Sequence, residues 1–209
     1  FARVLLLLWI PVVMADDAAE LYTEQCAACH GAQALGNAAT FSPRLAGQNA
    51  AYLREQTLAY QQGRRGTHPD DVQGQAMRFL LRDLSAQQVD ALSVYLAALT
   101  VPAPANESNR DGPGATLYAS HCATCHGQHG QGAESIFVPR LSILSSWYLK
   151  AQLMAYENGW RGGEDASTRA KNMRSMGGQL PDRGQRAAII EHLAGCLLYT
   201  SPSPRDGLL

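Results

Sequence analysis

The chain carries one long segment twice, displaced by 96 positions. The stretch "ELYTEQCAACHG" (20–31) aligns with "TLYASHCATCHG" (116–127), and "YLREQTLAYQQGRRG" (52–66) aligns with "YLKAQLMAYENGWRG" (148–162). The same offset places Met77 on Met173 without a gap. Because self-similarity at a fixed offset marks a duplicated structural unit, the sequence predicts two copies of one domain of about eighty residues.

The stretch between the copies has a different composition. "VPAPANESNRDGP" (101–113) contains three prolines and no apolar periodicity, which is typical of a linker. We therefore expect domain 1 at residues 16–100, the linker at 101–113 and domain 2 at 114–195.

Both ends of the chain differ from the repeated units. "FARVLLLLWIPVVMA" (1–15) has an arginine before an apolar run and ends in small residues, which favours a truncated export signal cleaved after Ala15. A retained membrane anchor is the alternative. Residues 196–209 share no periodicity with the preceding helix pattern and resemble the translation of a sequencing adapter. We interpret them as a non-native tail, which leaves Cys196 out of the count and four cysteines inside the repeats.

Each copy has the pattern of a small helical domain. In the first copy a helix with Leu21 and Tyr22 facing inward precedes the first cysteine, and residues 49–63 form a second helix that ends at Gly63. Residues 85–99 open with Ser85 and Gln88 at the spacing of a capping box. No stretch alternates like a strand, so the sequence predicts an all-α fold of two small helical bundles. Domains of this size usually need a covalent or cofactor staple to bury enough surface.

The pentapeptides "CAACH" and "CATCH" indicate what that staple is. Cys-x-x-Cys-His is the attachment signal of c-type haem, because two thiols on one turn each form a thioether to a haem vinyl group and the next histidine lies beneath the iron. The sequence therefore predicts two covalently bound c-type haems. The thioether residues would be Cys26, Cys29, Cys122 and Cys125, and the histidine ligands of the iron would be His30 and His126.

Paired cysteines have three other common uses in proteins. A zinc site would place the two pairs closer together. A thioredoxin-like dithiol needs a strand-to-helix turn, and structural disulfides would suit an exported protein. None of them explains why a histidine follows both pairs in the same repeat register, so haem attachment is the favoured interpretation.

Methionines in repeat register are the candidates for the second axial ligand. Met77 and Met173 match each other, whereas Met154 and Met176 align with leucines and are interpreted as core fillers. Met176 is the fallback ligand in domain 2, and His68 is a histidine close enough in sequence to compete with Met77. A methionine ligand raises the haem potential relative to a second histidine.

Further recurring residues follow each haem-binding histidine. Pro43 and Pro139 could each offer a carbonyl to the outer nitrogen of the histidine. Arg44 and Arg140 come directly after them and are candidates to pair with haem propionates, with a solvated arginine as the alternative. The formal net charge of −1 and the absence of a clustered basic stretch exclude nucleic acid as an expected partner.

Taken together, these motifs resemble the dihaem cytochrome c4 family. The resemblance rests on "CAACHG", "CATCHG", "PRLAGQ" (43–48), "YLREQTLAYQQGRRG" and Met77, and it extends over residues 17–195. It implies two class I cytochrome c domains in a pseudo-twofold arrangement, with haems close enough to exchange electrons. Domain 2 departs from the pattern, since "PRLSILSS" (139–146) replaces the Gly-Gln of "PRLAGQ".

The resemblance also implies a function. We expect a periplasmic electron carrier that takes electrons from a quinol-oxidising complex to a terminal oxidase and performs no chemistry on a substrate. The alternative is the cytochrome subunit of a dehydrogenase complex, of the sulfide flavocytochrome or alcohol dehydrogenase type. A dihaem peroxidase is disfavoured, because methionine at both sixth positions leaves no open iron site. A soluble protein is expected, with membrane association as the alternative.

Overall fold

The computed structural model describes residues 15–100, 112–180 and 182–194. Domain 1 contains helices α1 (Ala15–Gln25), α2 (Ala27–His30), α3 (Ala50–Gln61), α4 (Val72–Leu81) and α5 (Ala86–Ala98). Domain 2 contains α6 (Pro113–His121), α7 (Ala123–His126), α8 (Ser146–Glu157), α9 (Thr168–Gln179) and α10 (Arg183–Ala194). Two single 3-10 turns and two isolated β-bridges complete the described backbone, which has no strand, so the all-α prediction is confirmed.

Several predicted segments lie outside the described residues. They are the export signal except for Ala15, the linker residues 101–111 and the tail at 196–209. Pro113, which the sequence analysis assigned to the linker, is the first residue of α6. Proline suits that position because its missing N–H would have no helical partner there. None of the helices in the described ranges has the length and apolarity that crossing a membrane requires.

The core of domain 1 lies where α1 crosses α5. Tyr22 on α1 is fully buried, as its predicted inward orientation requires, and packs with Leu92 and Leu96 of α5. Helix α5 begins with the predicted capping box: the Ser85 hydroxyl accepts from the Gln88 N–H, and the Gln88 side chain accepts from the Ser85 N–H. The cap satisfies two N–H groups that the helix itself leaves unpaired.

Domain 2 repeats this crossing with α6 and α10. Tyr118 takes the place of Tyr22 and is 1% exposed, packed in one cluster with Ile189 and Leu193. Gly114 lets the two helices approach closely, since a Cβ added there would lie 2.0 Å from the Ala188 carbonyl oxygen.

The two domains meet through a symmetric set of arginines and glutamines. Arg65 donates to Oε1 of Gln56 in its own domain at 2.8 Å and to Oε1 of Gln152 in the other at 2.9 Å. Arg161 donates to Oε1 of Gln152 at 2.5 Å and to Oε1 of Gln56 at 2.8 Å. Each contact therefore has a counterpart 96 positions away, as expected for domains related by a pseudo-twofold axis.

Both arginines are buried in this interface. Arg65 is 7% exposed and Arg161 is 4% exposed. Their guanidinium carbons lie 4.5 Å from the ring centroid of Tyr60 and 4.4 Å from that of Tyr156, at cation–π distance. Since a buried charge is costly unless its donors are satisfied, these contacts favour one relative position of the two domains.

Candidate haem sites

The first pentapeptide folds into one helical turn. Cys26 lies between α1 and α2 as the N-cap of α2, and its carbonyl accepts from the N–H groups of Cys29 at 3.2 Å and His30 at 2.9 Å. Gly31 then ends the turn with a φ of 81°, in the left-handed region that favours glycine. The two thiols and the imidazole are thereby fixed on one short element, as attachment of one haem requires.

None of the four cysteines of the pentapeptides forms a disulfide. Cys29 and Cys125 are exposed, whereas Cys26 and Cys122 are partly buried. Burial raises the pKa of Cys26 and of Cys122 to about 11. The described residues contain no group of three or more metal-ligating side chains that could hold a metal ion on their own. Neither the disulfide nor the zinc alternative is supported.

The imidazole of His30 is held by a backbone carbonyl. Its Nδ1 lies 2.8 Å from the carbonyl oxygen of Pro43, and the residue is 5% exposed. Burial lowers the pKa of His30, while the hydrogen bond to Pro43 opposes that shift. A neutral imidazole that donates from Nδ1 has its lone pair on Nε2, which is the atom needed for an iron ligand.

The second site repeats the arrangement with one difference. Nδ1 of His126 lies 3.3 Å from the carbonyl oxygen of Pro139, which is 0.5 Å longer than the contact in domain 1. Burial again lowers the pKa of this histidine. The two sites therefore share their donor set but differ in the strength of the hydrogen bond behind the histidine.

A tyrosine anchors the residue that follows each histidine. The Tyr22 hydroxyl donates to the Gly31 carbonyl at 2.5 Å, and the Tyr118 hydroxyl donates to the Gly127 carbonyl at 2.8 Å. Sequence reasoning placed Tyr22 in the core but missed this contact. A tyrosine recurs four residues before each pentapeptide, and this recurrence could have indicated the contact.

The methionines lie on matching helices. Met77 on α4 and Met173 on α9 are both partly buried. The interpretation of Met154 and Met176 as core fillers is wrong, because they are 45% and 37% exposed. The reasoning failed because alignment with a leucine does not imply burial: Leu80, the repeat partner of Met176, is itself 50% exposed.

His68 contacts the other domain. Its ring stacks on that of Trp160 with a centroid distance of 5.2 Å and an interplanar angle of 19°. The contact places His68, whose side chain is 39% exposed, against Trp160 at the domain interface.

Both halves of the chain match the family model described as Cytochrome c, over residues 15–100 and 112–196. The chain belongs to the cytochrome c family. With its two domains in tandem, this cytochrome carries two covalently bound c-type haems, as the two pentapeptides predicted.

Known proteins similar to this cytochrome are named as cytochromes or as electron acceptors. A protein of Stutzerimonas stutzeri (strain A1501) called thiosulfate dehydrogenase electron acceptor is 34% identical over 166 residues, which are 70% of this chain and 73% of that protein. Cytochrome c4 of Pseudomonas aeruginosa is 29% identical over 178 residues, covering 81% of this chain and 83% of its own. The crystal structure of reduced cytochrome c4 from Pseudomonas stutzeri shares the fold with a TM-score of 0.69 at 22% identity, covering 87% and 98% of the two chains. The resemblance to the dihaem cytochrome c4 family is confirmed.

The first site also contains an arginine that suits the propionate groups of a haem. Arg44 follows Pro43, and its Nε donates to the Ala46 carbonyl at 3.1 Å. Its Nη2 is buried without a hydrogen-bond partner among the described residues, and burial lowers the pKa of this guanidinium. A propionate carboxylate would satisfy that nitrogen. In the second site Nε of Arg140 instead donates to Oδ1 of Asn49, across the domain interface, at 3.1 Å.

Proposed function

We propose that this dihaem electron-transfer protein works in the periplasm and carries electrons from a quinol-oxidising complex to a terminal oxidase. The observation that carries the proposal is the pair of matched sites, each with a buried histidine whose Nδ1 faces a proline carbonyl. Each haem, when bound, supplies an iron that cycles between the ferrous and ferric states. An export-signal pattern at residues 1–15 supports the periplasmic location.

In this proposal the chain itself supplies the complete ligand set. Cys26 and Cys29 would hold the first haem, and His30 and Met77 would be the ligands of its iron. The equivalent residues for the second haem are Cys122, Cys125, His126 and Met173. With both axial positions filled by side chains, no coordination site is left for a substrate, so the protein moves electrons and does not act as an enzyme.

The histidine contacts suit that task. A carbonyl that accepts from Nδ1 fixes the orientation of the imidazole and makes Nε2 a better donor. The tyrosine hydroxyls of Tyr22 and Tyr118 restrain the backbone directly after each histidine. A ligand set that is held rigid changes little between the two oxidation states, which keeps the reorganisation on electron transfer small.

A second candidate function is supported by the names of two relatives. The 34% identical protein of Stutzerimonas stutzeri is named as the electron acceptor of a thiosulfate dehydrogenase. This cytochrome could accordingly accept electrons from a dehydrogenase complex instead of a quinol-oxidising complex. The haem ligands and the transfer chemistry are the same in both cases, and only the donor differs.

Stopped-flow reduction distinguishes the two donors. The oxidised holoprotein is mixed with a purified quinol-oxidising complex and its quinol, or with a thiosulfate dehydrogenase and thiosulfate, and haem reduction is followed by absorbance. Fast reduction by the first system, followed by oxidation with a terminal oxidase, supports the proposed function. Fast reduction by the thiosulfate system alone supports the second candidate, and slow reduction by both would contradict the two proposals.

A further inference from the structure

Two side chains of domain 1 form hydrogen bonds with the segment of domain 2 that contains Pro139. The amide of Gln48 donates from Nε2 to the Arg140 carbonyl at 3.0 Å and accepts at Oε1 from the Arg140 N–H at 2.7 Å. The amide of Asn49 donates from Nδ2 to the Val138 carbonyl at 2.6 Å and accepts at Oδ1 from Nε of Arg140. The residues on both sides of Pro139 are thus bound by two neighbouring side chains of the other domain.

These two side chains are almost completely buried. Gln48 is 2% exposed and Asn49 is 5% exposed. A buried amide is costly unless its donors and acceptors are paired, so these contacts fix the position of the segment around Pro139 relative to domain 1. We call this set of four hydrogen bonds the amide clamp.

The repeat gives domain 2 no such side chains to offer in return. Leu144 and Ser145 occupy the positions 96 residues after Gln48 and Asn49. Leucine has no polar atoms, and serine lacks the paired donor and acceptor of an amide. Domain 1 therefore binds the segment at the second haem site, and the residues at the equivalent positions of domain 2 cannot form the same hydrogen bonds with domain 1.

Two hydrogen bonds accepted by carbonyls of the clamped segment are longer than their counterparts in domain 1, whereas the Val138 N–H donates to the Ala133 carbonyl at 2.9 Å, against 3.0 Å for Ser42 and Asn37. The Val138 carbonyl accepts from the Ala133 N–H at 3.1 Å, whereas the Ser42 carbonyl accepts from the Asn37 N–H at 2.8 Å. One step further along, the carbonyl of Pro139 lies 3.3 Å from Nδ1 of its histidine, against 2.8 Å for Pro43. Both longer contacts are accepted by carbonyls next to the groups that domain 1 binds: the Val138 carbonyl also accepts from Asn49, and Pro139 directly precedes Arg140, which Gln48 binds.

We propose that Gln48 and Asn49 are positioning residues that hold the Pro139 carbonyl away from His126 and so raise the potential of the second haem relative to the first. This inference rests on the proposed role of His126 as an axial ligand. A longer hydrogen bond from Nδ1 makes the imidazole a weaker electron donor, and a weaker donor stabilises ferric iron less. The difference in potential would direct electrons from the haem of domain 1 to that of domain 2.

The test replaces both residues by their repeat partners, as Gln48→Leu with Asn49→Ser. An NMR redox titration of the holoprotein follows the two haems separately. At a fixed applied potential, we expect the ferric-to-ferrous ratio of the second haem to rise about threefold, the size of effect that part of one hydrogen bond would have. This ratio corresponds to a fall of about 28 mV in the reduction potential of that haem. The first haem should not change. The Nδ1 proton of His126 should move downfield as its hydrogen bond shortens.

A second variant and a control keep the result interpretable. Asn49→Ser alone releases the Val138 carbonyl, and since the Asn49 side chain makes no capping hydrogen bond, α3 should stay intact. It should give a smaller shift of the same sign. Glu55→Gln weakens an interdomain ion pair in which Nε of Arg169 lies 3.5 Å from Oε2 of Glu55. This pair is not part of the amide clamp. It should leave both potentials unchanged.

The outcomes separate this inference from the function on which it rests. An unchanged or higher potential of the second haem in the clamp variants would overturn the inference, and so would an equal shift in Glu55→Gln. If the unmodified protein shows no haem-shifted Nδ1 proton from His126, the ligand assignment fails instead. A haem-shifted proton together with an unresponsive potential refutes the clamp alone.

Discussion

Replacing Gly114 by alanine tests the packing of domain 2. The new Cβ would lie 2.0 Å from the Ala188 carbonyl oxygen, 2.7 Å from the Ala188 carbonyl carbon and 3.0 Å from Cβ of His192. Real Cβ contacts essentially never fall below 3.0 Å, and a backbone carbonyl in a helix cannot rotate away. Helix α6 must therefore move about 1 Å away from α10, against the close packing of the core.

The cost follows from two opposing effects. Overpacking costs about 1–3 kcal/mol, with the upper end expected where backbone is the obstacle, and the better helix propensity of alanine returns about 1 kcal/mol. We expect a net loss of about 2 kcal/mol in the free energy of unfolding of domain 2, or a fall of about 1 M in its urea midpoint for a slope of about 2 kcal/mol/M.

The repeat provides the matched control. Ala18 occupies the same position in domain 1, where it is 1% exposed on α1, so this helix pair already accommodates the methyl group. Ala18→Gly should lower the stability of domain 1 without any steric conflict. Urea unfolding of the holoprotein, followed by circular dichroism, measures both variants. A midpoint for Gly114→Ala equal to or above that of the unmodified protein would refute the packing argument.

Three further predictions concern the interface, a helix cap and alkaline stability. Gln56→Leu removes one acceptor from Arg65 and one from Arg161, so the free energy of unfolding should fall by about 2–3 kcal/mol; an unchanged urea midpoint would exclude a role for this network. Ser85→Ala removes the capping box of α5 and should cost about 1 kcal/mol by the same assay, whereas Ser85→Gly should cost less. Burial raises the pKa of Tyr60 from 10.0 to about 12, so unfolding releases a proton in that range and stability should fall as the pH rises from about 10 to 12. Tyr60→Phe should show a shallower decline, and identical pH profiles would contradict the assignment.

The sequence predicted the architecture because the fold follows local rules that are repeated. Two copies at a constant offset require two similar domains, and the spacing of Ser85 and Gln88 specifies a helix start that depends on no distant residue. Tyr22 was expected to face inward from the period of its helix alone, and it is fully buried. The pentapeptide motif likewise encodes its chemistry within five residues.

Contacts between the domains were not predicted, because they depend on how two folded units dock. Gln48 ends the "PRLAGQ" motif, but nothing near it in sequence indicates that its partner is Arg140. A signal existed for the symmetric part of the interface. Gln56 and Arg65 recur in register as Gln152 and Arg161, and long polar side chains conserved between repeats would have indicated an interface on the pseudo-twofold axis.

The central claim is that each iron has one histidine and one methionine ligand. It is tested most directly by a spectroscopic redox titration of protein produced in an exporting host with haem-attachment machinery, alongside Met77→Ala and Met173→Ala. The account predicts two high-potential haems, with each substitution lowering the potential of one haem and leaving the other unchanged. A haem whose potential and spectrum do not respond to the loss of its methionine would contradict the ligand assignment in that domain.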